Sequence, residues 1–288
     1  MENPEVLKAW NCTALRNTSI YIQPDKETVM LMPNDFCNTK IDLLVIVYTR
    51  PSDYVNRQLI RRTLVPQKQV SGYLIEYYFL LGKANNLLLQ EQINTEYRTY
   101  NDILQENFIE NYYNLTLKTM FMFKNVKRRC LENTKFVLKV DCDVYVNIPN
   151  LVAMLKLSKH NHLLLGHLHH TVFPKRSGFS KWYTPYCLYN GNIYPSYISG
   201  PAYVMSIDII PKLYNASLVR PIFHLEDVYL GMLAQDIGLQ LTHSPLFDIY
   251  KTIFTPCKLV DLITSHSYST TQLSDIYASI PELNRTCN

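Results

Sequence analysis

Residues 41–48, Ile-Asp-Leu-Leu-Val-Ile-Val-Tyr, form an almost unbroken apolar run with a single acid near its start. A strand that faces water on one side alternates apolar and polar residues, whereas one buried on both faces does not, and strands of the second kind belong to parallel sheets covered by helices. Shorter runs of the same character recur at 77–81, closed by Gly82, and at 136–140, and further strands are expected near 162–168 and 202–206. Helical spacing fills the intervals at 54–64, 91–110, 115–131 and from about 149 to 158, where Pro149 suits a first helical turn. This alternation predicts an α/β domain with a mostly parallel central sheet, in which ligands bind beyond the carboxyl ends of the strands.

The 288 residues are 47% hydrophobic and 18% charged, which is enough for one large core. Residues 1–40 are polar, contain several prolines and show no sustained period, so they are expected to form a stem or linker, leaving 41–288 as the folded domain. The net charge of +4 is mild, and the one dense basic stretch, 124–129, fits the end of an amphipathic helix, so no nucleic-acid partner is expected.

Asp141 and Asp143 interrupt the apolar segment formed by 136–140 and 144–146. At the end of a strand, two carboxylates one residue apart can turn toward one cleft and offer hard oxygen ligands to a divalent ion, which would hold a nucleotide diphosphate. Without a cation, ionised groups in such a segment are costly, and a solvated turn is the plain alternative. A second acidic signature, Glu226-Asp227, opens a helical run at 228–235, where the helix dipole favours carboxylates whether or not they do chemistry. Arg57 and Arg61 lie four apart on one helical face; their planar forks suit phosphate, and surface charge is the competing reading. Histidines 160, 162, 167, 169 and 170 are expected to form a solvated edge rather than a second metal site, because alternate strand residues face opposite ways and no acids complete a cage.

Five Asn-x-Ser/Thr sequons, at Asn11, Asn17, Asn114, Asn215 and Asn284, and seven cysteines suit an oxidising lumen. The odd count leaves at least one thiol free or paired with another chain, and Cys142, wedged between the two aspartates, is the expected free one. The sequence shows neither an apolar run near the ~20 residues that span a bilayer nor a secretory leader, so membrane association is expected only through an N-terminal anchor not visible here.

Several ordered motifs between about 41 and 266 resemble the β-1,3-glycosyltransferases of glycosyltransferase family 31, galactosyl- and N-acetylglucosaminyltransferases with a GT-A (Rossmann-like) fold. The residues concerned are Arg57-Gln-Leu-Ile-Arg61-Arg-Thr63, Phe79-Leu-Leu-Gly82, Tyr100-Asn-Asp-Ile-Leu104, Tyr113-Asn-Leu-Thr-Leu-Lys-Thr119, 136–151, Lys181-Trp182-Tyr183, Tyr194-Pro-Ser-Tyr-Ile-Ser-Gly200, Glu226-Asp-Val-Tyr-Leu-Gly231 and His266 in Leu262-Ile-Thr-Ser-His-Ser. Tyr100–Leu104 and Tyr113–Thr119 resemble the long helical segment that precedes the metal motif. The resemblance implies Mn²⁺ held by Asp143 and His266, a donor nucleotide positioned by Asp141, Arg57, Arg61 and Lys181, and a sugar stacked on Trp182. It also implies Asp227 as the base that deprotonates the acceptor, with Glu226 beside it as an acceptor contact. The departures are Cys142 for the middle aspartate of a triplet, Leu64 for a tryptophan, Ile198 for a common cysteine and Pro201-Ala202 for a glycine-rich pair. They point to an altered acceptor side.

The resulting expectation is an inverting, metal-dependent hexosyltransferase of the Golgi lumen, a type II membrane protein in its complete form. It would move galactose from UDP-galactose to the 3-OH of a glycan on protein or lipid. Transfer from UDP-N-acetylglucosamine is the alternative within the family, and a non-catalytic lumenal relative acting as chaperone or glycan-binding protein is the alternative outside catalysis. A cytosolic metal-dependent nucleotidyltransferase would leave the sequons unexplained.

Overall fold

The computed structural model describes residues 12–13, 15–158, 160–250 and 256–287. In chain order the elements are α1 (Thr18–Ile22), β1 (Val29–Leu31), β2 (Ile41–Tyr48), α2 (Tyr54–Thr63), β3 (Gln69–Val70), β4 (Tyr73–Lys83), α3 (Leu87–Tyr100), β5 (Ile103–Ile109), α4 (Leu115–Arg129), β6 (Thr134–Asp141), β7 (Tyr145–Val146) and α5 (Ile148–Leu157). They continue with β8 (Leu164–His169), β9 (Tyr197–Ser206), α6 (Ile210–Val219), α7 (Glu226–Asp236), β10 (Thr242–His243), α8 (Pro256–Asp261), β11 (Thr264–Ser265) and α9 (Thr270–Thr286).

The central sheet runs β1-β5-β4-β2-β6-β9-β8-β10, with β3 hydrogen-bonded to β4. Strands β5, β4, β2 and β6 are mutually parallel, and β9 is antiparallel to both β6 and β8. The apolar run of β2 sits in the middle because both of its faces are covered. Leu44, Ile46 and Tyr48 join α4, α6 and α7 in one core, while Leu43, Val45 and Val47 join α2 and α5 in a second. The α/β class and the mostly parallel sheet expected from the sequence are present.

Two expectations need correction. The helix expected over 91–110 stops at Tyr100: Asn101 takes a left-handed conformation (φ 52°), and the chain then enters β5, so the segment from Tyr100 to Leu104 turns from helix to strand. The polar residues Gln105 and Glu106, which break any strand-like apolar reading, are both fully buried, Gln105 bonded to Gln90 and Gly82 and Glu106 to Asn125.

Residues 15–40 are part of the domain rather than a stem. β1 pairs antiparallel with β5, Ile22, Phe36 and Cys37 lie in the core, and a disulfide joins Cys37 to Cys130. The basic end of α4 grips this segment. Lys124 Nζ donates to Ile22 O (2.8 Å), Gln23 O (3.1 Å) and Thr28 Oγ1 (2.8 Å), Arg128 donates to Pro24 O (2.6 Å), and Arg129 pairs with Glu27 (2.7 Å). Two more disulfides, Cys12–Cys187 and Cys257–Cys287, leave Cys142 as the free thiol. Among the described residues no helix is long and apolar enough to cross a membrane. Asn17 and Asn215 are exposed and Asn114 is half-buried; Asn11 and the side chain of Asn284 lie outside the described residues.

Candidate active site

Strand β6 ends at Asp141, and the turn that follows carries Cys142 and Asp143 at the carboxyl edge of the parallel sheet. The short strand β7 pairs antiparallel with β11, Tyr145 opposite Ser265, and this pairing delivers His266 to the turn. His266 Nε2 lies 3.5 Å from Asp143 Oδ2, and Tyr268 N donates to Asp143 O (3.1 Å). Burial works against ionisation of Asp143, but the hydrogen bond and charge of His266 outweigh it and hold the carboxyl below its ordinary value. His266 is raised in turn, the Asp143 contact outweighing desolvation.

On the opposite side of β6, β9 runs antiparallel with Val140 facing Ala202, so Gly200 lies beside the turn. Helix α7 packs across β9 and presents its first turn, Glu226 and Asp227, to Gly200: a Cβ built there would sit 3.4 Å from Glu226 Oε2 and 3.6 Å from Asp227 Oδ2. Asp227 is half-buried, its Oδ1 accepting from Val228 N (2.8 Å). Burial raises its carboxyl above the ordinary value despite the N–H groups of Val228 and Gly200 and the charge of Lys139. Glu226 is buried more deeply. Its Oε1 accepts from Thr119 Oγ1 (2.8 Å) and Tyr203 OH (2.6 Å), Thr119 is in turn bonded to Tyr48 OH (2.9 Å), and burial pushes its carboxyl up to about 7.

Lys139 joins the two halves. Its Nζ donates to Asp141 Oδ1 (2.6 Å) and to Gly200 O (2.5 Å), under the ring faces of Tyr48 and Tyr203, with the residue only 2% exposed. Sequence reasoning passed over this lysine. The available signal was a cation inside an apolar strand, which has to find a buried acceptor. Thr119, Tyr48 and Tyr203 left no comparable signal.

The structure therefore brings Asp141, Asp143, His266, Glu226 and Asp227 to one edge of the sheet. Lys181 is exposed on the β8–β9 loop with its ammonium over the ring of Trp182 (4.6 Å) and near Tyr112 (5.8 Å). Burial, followed by the charge of Asp227, pushes the Tyr112 hydroxyl up to about 12. The expectation that Arg57 and Arg61 bind nucleotide directly is corrected: both guanidiniums face inward. Arg57 is fully buried, bonded to Glu96, Thr49, Arg50 and Pro51, and Arg61 pairs with Glu96 and Asp102 beneath the ring of Tyr100.

Of the histidines, the rings of His167, His169 and His243 lie close together, tilted or edge-on, yet no group of three His, Cys, Asp or Glu residues among the described residues could hold a metal by itself. A hollow of about 650 Å³ lined by Leu163, Leu165, Ile209, Lys212 and Leu239 lies at the amino end of β8, away from the carboxylates, and holds none of the candidate residues.

A mostly parallel sheet with carboxylates from two sides converging beyond β6 is consistent with the glycosyltransferase resemblance carried by the motifs, and comparison with known proteins agrees. The model of a family described as Galactosyltransferase matches residues 55–245. Beta-1,3-galactosyltransferase 1 of Mus musculus and of Homo sapiens are each 32% identical over 260 residues, covering 89% of this chain and 79% of theirs. Beta-1,3-galactosyltransferase 5 of Pan paniscus is 29% identical over 275 residues, covering 94% and 91%. The chain belongs to the galactosyltransferase family.

Proposed function

We propose that the protein transfers galactose from UDP-galactose to the 3-OH of a sugar on a glycoprotein or glycolipid, with inversion at the anomeric carbon, in the Golgi lumen. The observation that carries this reading is the approach of Asp227 to the Asp141–Asp143 turn, tied through Gly200 and Lys139. A base on one side of a bound donor and a diphosphate site on the other suit a single displacement, with no covalent intermediate. Asp227 accepts the proton of the acceptor hydroxyl as that oxygen attacks, and partial burial makes the carboxylate a stronger base than one in water.

Asp143 and His266 would hold a divalent ion such as Mn²⁺: one carboxylate and one imidazole, groups of the kind such an ion takes, lie 3.5 Å apart and are both partly exposed. When bound, the ion would neutralise charge on the departing diphosphate. Asp141, fixed by Lys139, orients the nucleotide beside it. Tyr112 and Trp182, both exposed and both beneath the Lys181 ammonium, offer aromatic faces to the acceptor.

The test is mass spectrometry of a β-linked oligosaccharide panel incubated with the full chain, Mn²⁺ and either UDP-galactose or UDP-N-acetylglucosamine. Addition of a hexose only from the first donor supports the proposal. Addition only from the second would reassign the donor, and no transfer from protein that binds UDP would favour a non-catalytic relative.

A further inference from the structure

The loop that leaves β2 has three consecutive carbonyl oxygens held from below by two buried cations. Lys118 Nζ donates to Thr49 O (2.7 Å), Arg57 Nη1 to Arg50 O (2.6 Å) and Arg57 Nη2 to Pro51 O (3.1 Å); Nη1 also reaches Thr49 Oγ1 (3.3 Å). Each cation is itself fixed. Arg57 makes a two-point bond to Glu96 (2.8 and 2.7 Å), and Lys118 pairs with Glu110 (2.8 Å), whose Oε2 also accepts from Gly82 N (2.6 Å). All five N–H groups of Arg57 are thereby engaged inside the protein.

Stability alone is a weak reason for such a bracket, because buried ion pairs often contribute less than apolar residues of the same volume. Its effect is geometric. A connecting loop, ordinarily the mobile part of an α/β unit, has its backbone immobilised at three successive peptides.

The place of that loop gives the bracket a purpose. Tyr48 pairs with Asp141 in the β2–β6 register, so Thr49 begins where the carboxylate turn begins. Asn56 donates to Cys142 O (3.4 Å), and Cys142 Sγ lies 3.7 Å from Asp53 Oδ2. The other neighbour of β6 is β9, which carries Gly200 against Glu226 and Asp227. A nucleoside diphosphate sugar with its phosphates at Asp143 has the base on the β9 side, so its sugar faces that way and its nucleoside faces the loop.

We infer that Arg57 and Lys118 are positioning residues for the donor: without touching it, they hold Thr49–Asp53 in the shape that receives the nucleoside half of UDP-galactose. This rests on the donor reading proposed above.

The experiment is calorimetric titration of the full chain with UDP in Mn²⁺, together with donor and acceptor KM, for wild type, Arg57→Lys, Lys118→Met and Arg61→Lys. Arg57→Lys keeps the charge and loses the fork. Arg61 shares Glu96 and pairs with Asp102 but bonds to no atom of the loop, so it reports the purely structural cost of disturbing this ion-pair cluster. The expected result is a UDP Kd and donor KM raised about tenfold or more in the first two variants, with acceptor KM unchanged and Arg61→Lys affecting only Tm. Three variants that lose Tm alike while binding UDP as wild type does would overturn the inference. If Lys118→Met does not fold, Arg57→Lys decides the matter. Failure of the wild type itself to bind UDP would instead remove the functional reading, and this inference with it.

Discussion

Glu226 and Asp227 share a helical turn but occupy different media. Asp227 is half-buried, whereas Glu226 is enclosed by Thr119 and Tyr203, and burial carries the Glu226 carboxyl from an ordinary value near 4.5 to about 7. A carboxyl raised on folding favours the folded state while protonated and loses that advantage as pH climbs from about 4.5 to about 7. Glu226→Gln, which keeps the shape and removes the charge, should therefore gain Tm relative to wild type as pH rises through this window. Thermal melts at both ends check it, and an equal Tm difference at both would contradict the assignment. At this scale Asp141 and Asp143 stood out because carboxylates interrupted an apolar segment, and Asp227 because its motif resembled that of the family at the start of a helical run. Arg57 was misread because the same fork that suits phosphate suits backbone carbonyls, and spacing does not say which way a helical face points. Thr119 could not be read at all, since its partner Glu226 is 107 residues away.

Elements were legible where the apolar pattern was pure, as in β2 and β6, and illegible where buried polar residues pair across the fold, as in β5. The segment before β2 read as a stem because its contacts are with α4, about 100 residues on. Cys37→Ser should lower stability by about 2–5 kcal/mol, as loss of a disulfide closing a long loop does, and a chain begun at residue 41 should lose more; denaturant melts check both. Helix α7 depends on Gly231, where a Cβ would come within 2.6 Å of both Ser196 O and Tyr197 Cβ on the β9 side. Since backbone cannot yield as a flexible side chain does, Gly231→Ala should cost about 1–3 kcal/mol and slow transfer by shifting Asp227. A variant with wild-type Tm and rate would show that the helix has room to move.

Over the whole molecule, β6 divides the site. Its β2 edge meets a loop braced by Arg57 and Lys118, its β9 edge meets α7 and the proposed acceptor side, and Lys139 ties one edge to the other through Asp141 and Gly200. The sheet order that creates this division is a property of long-range pairing, which explains why the motifs could be found in the sequence while their two-sided arrangement could not. The central claim is that Asp227 acts on the acceptor and not on the donor. Asp227→Asn in the full chain, compared with wild type for UDP affinity by calorimetry and for transfer rate to a β-linked acceptor, tests it directly. The account predicts unchanged UDP binding with a rate lower by about 10²–10⁴. Unimpaired transfer, or a parallel loss of UDP binding, would contradict it.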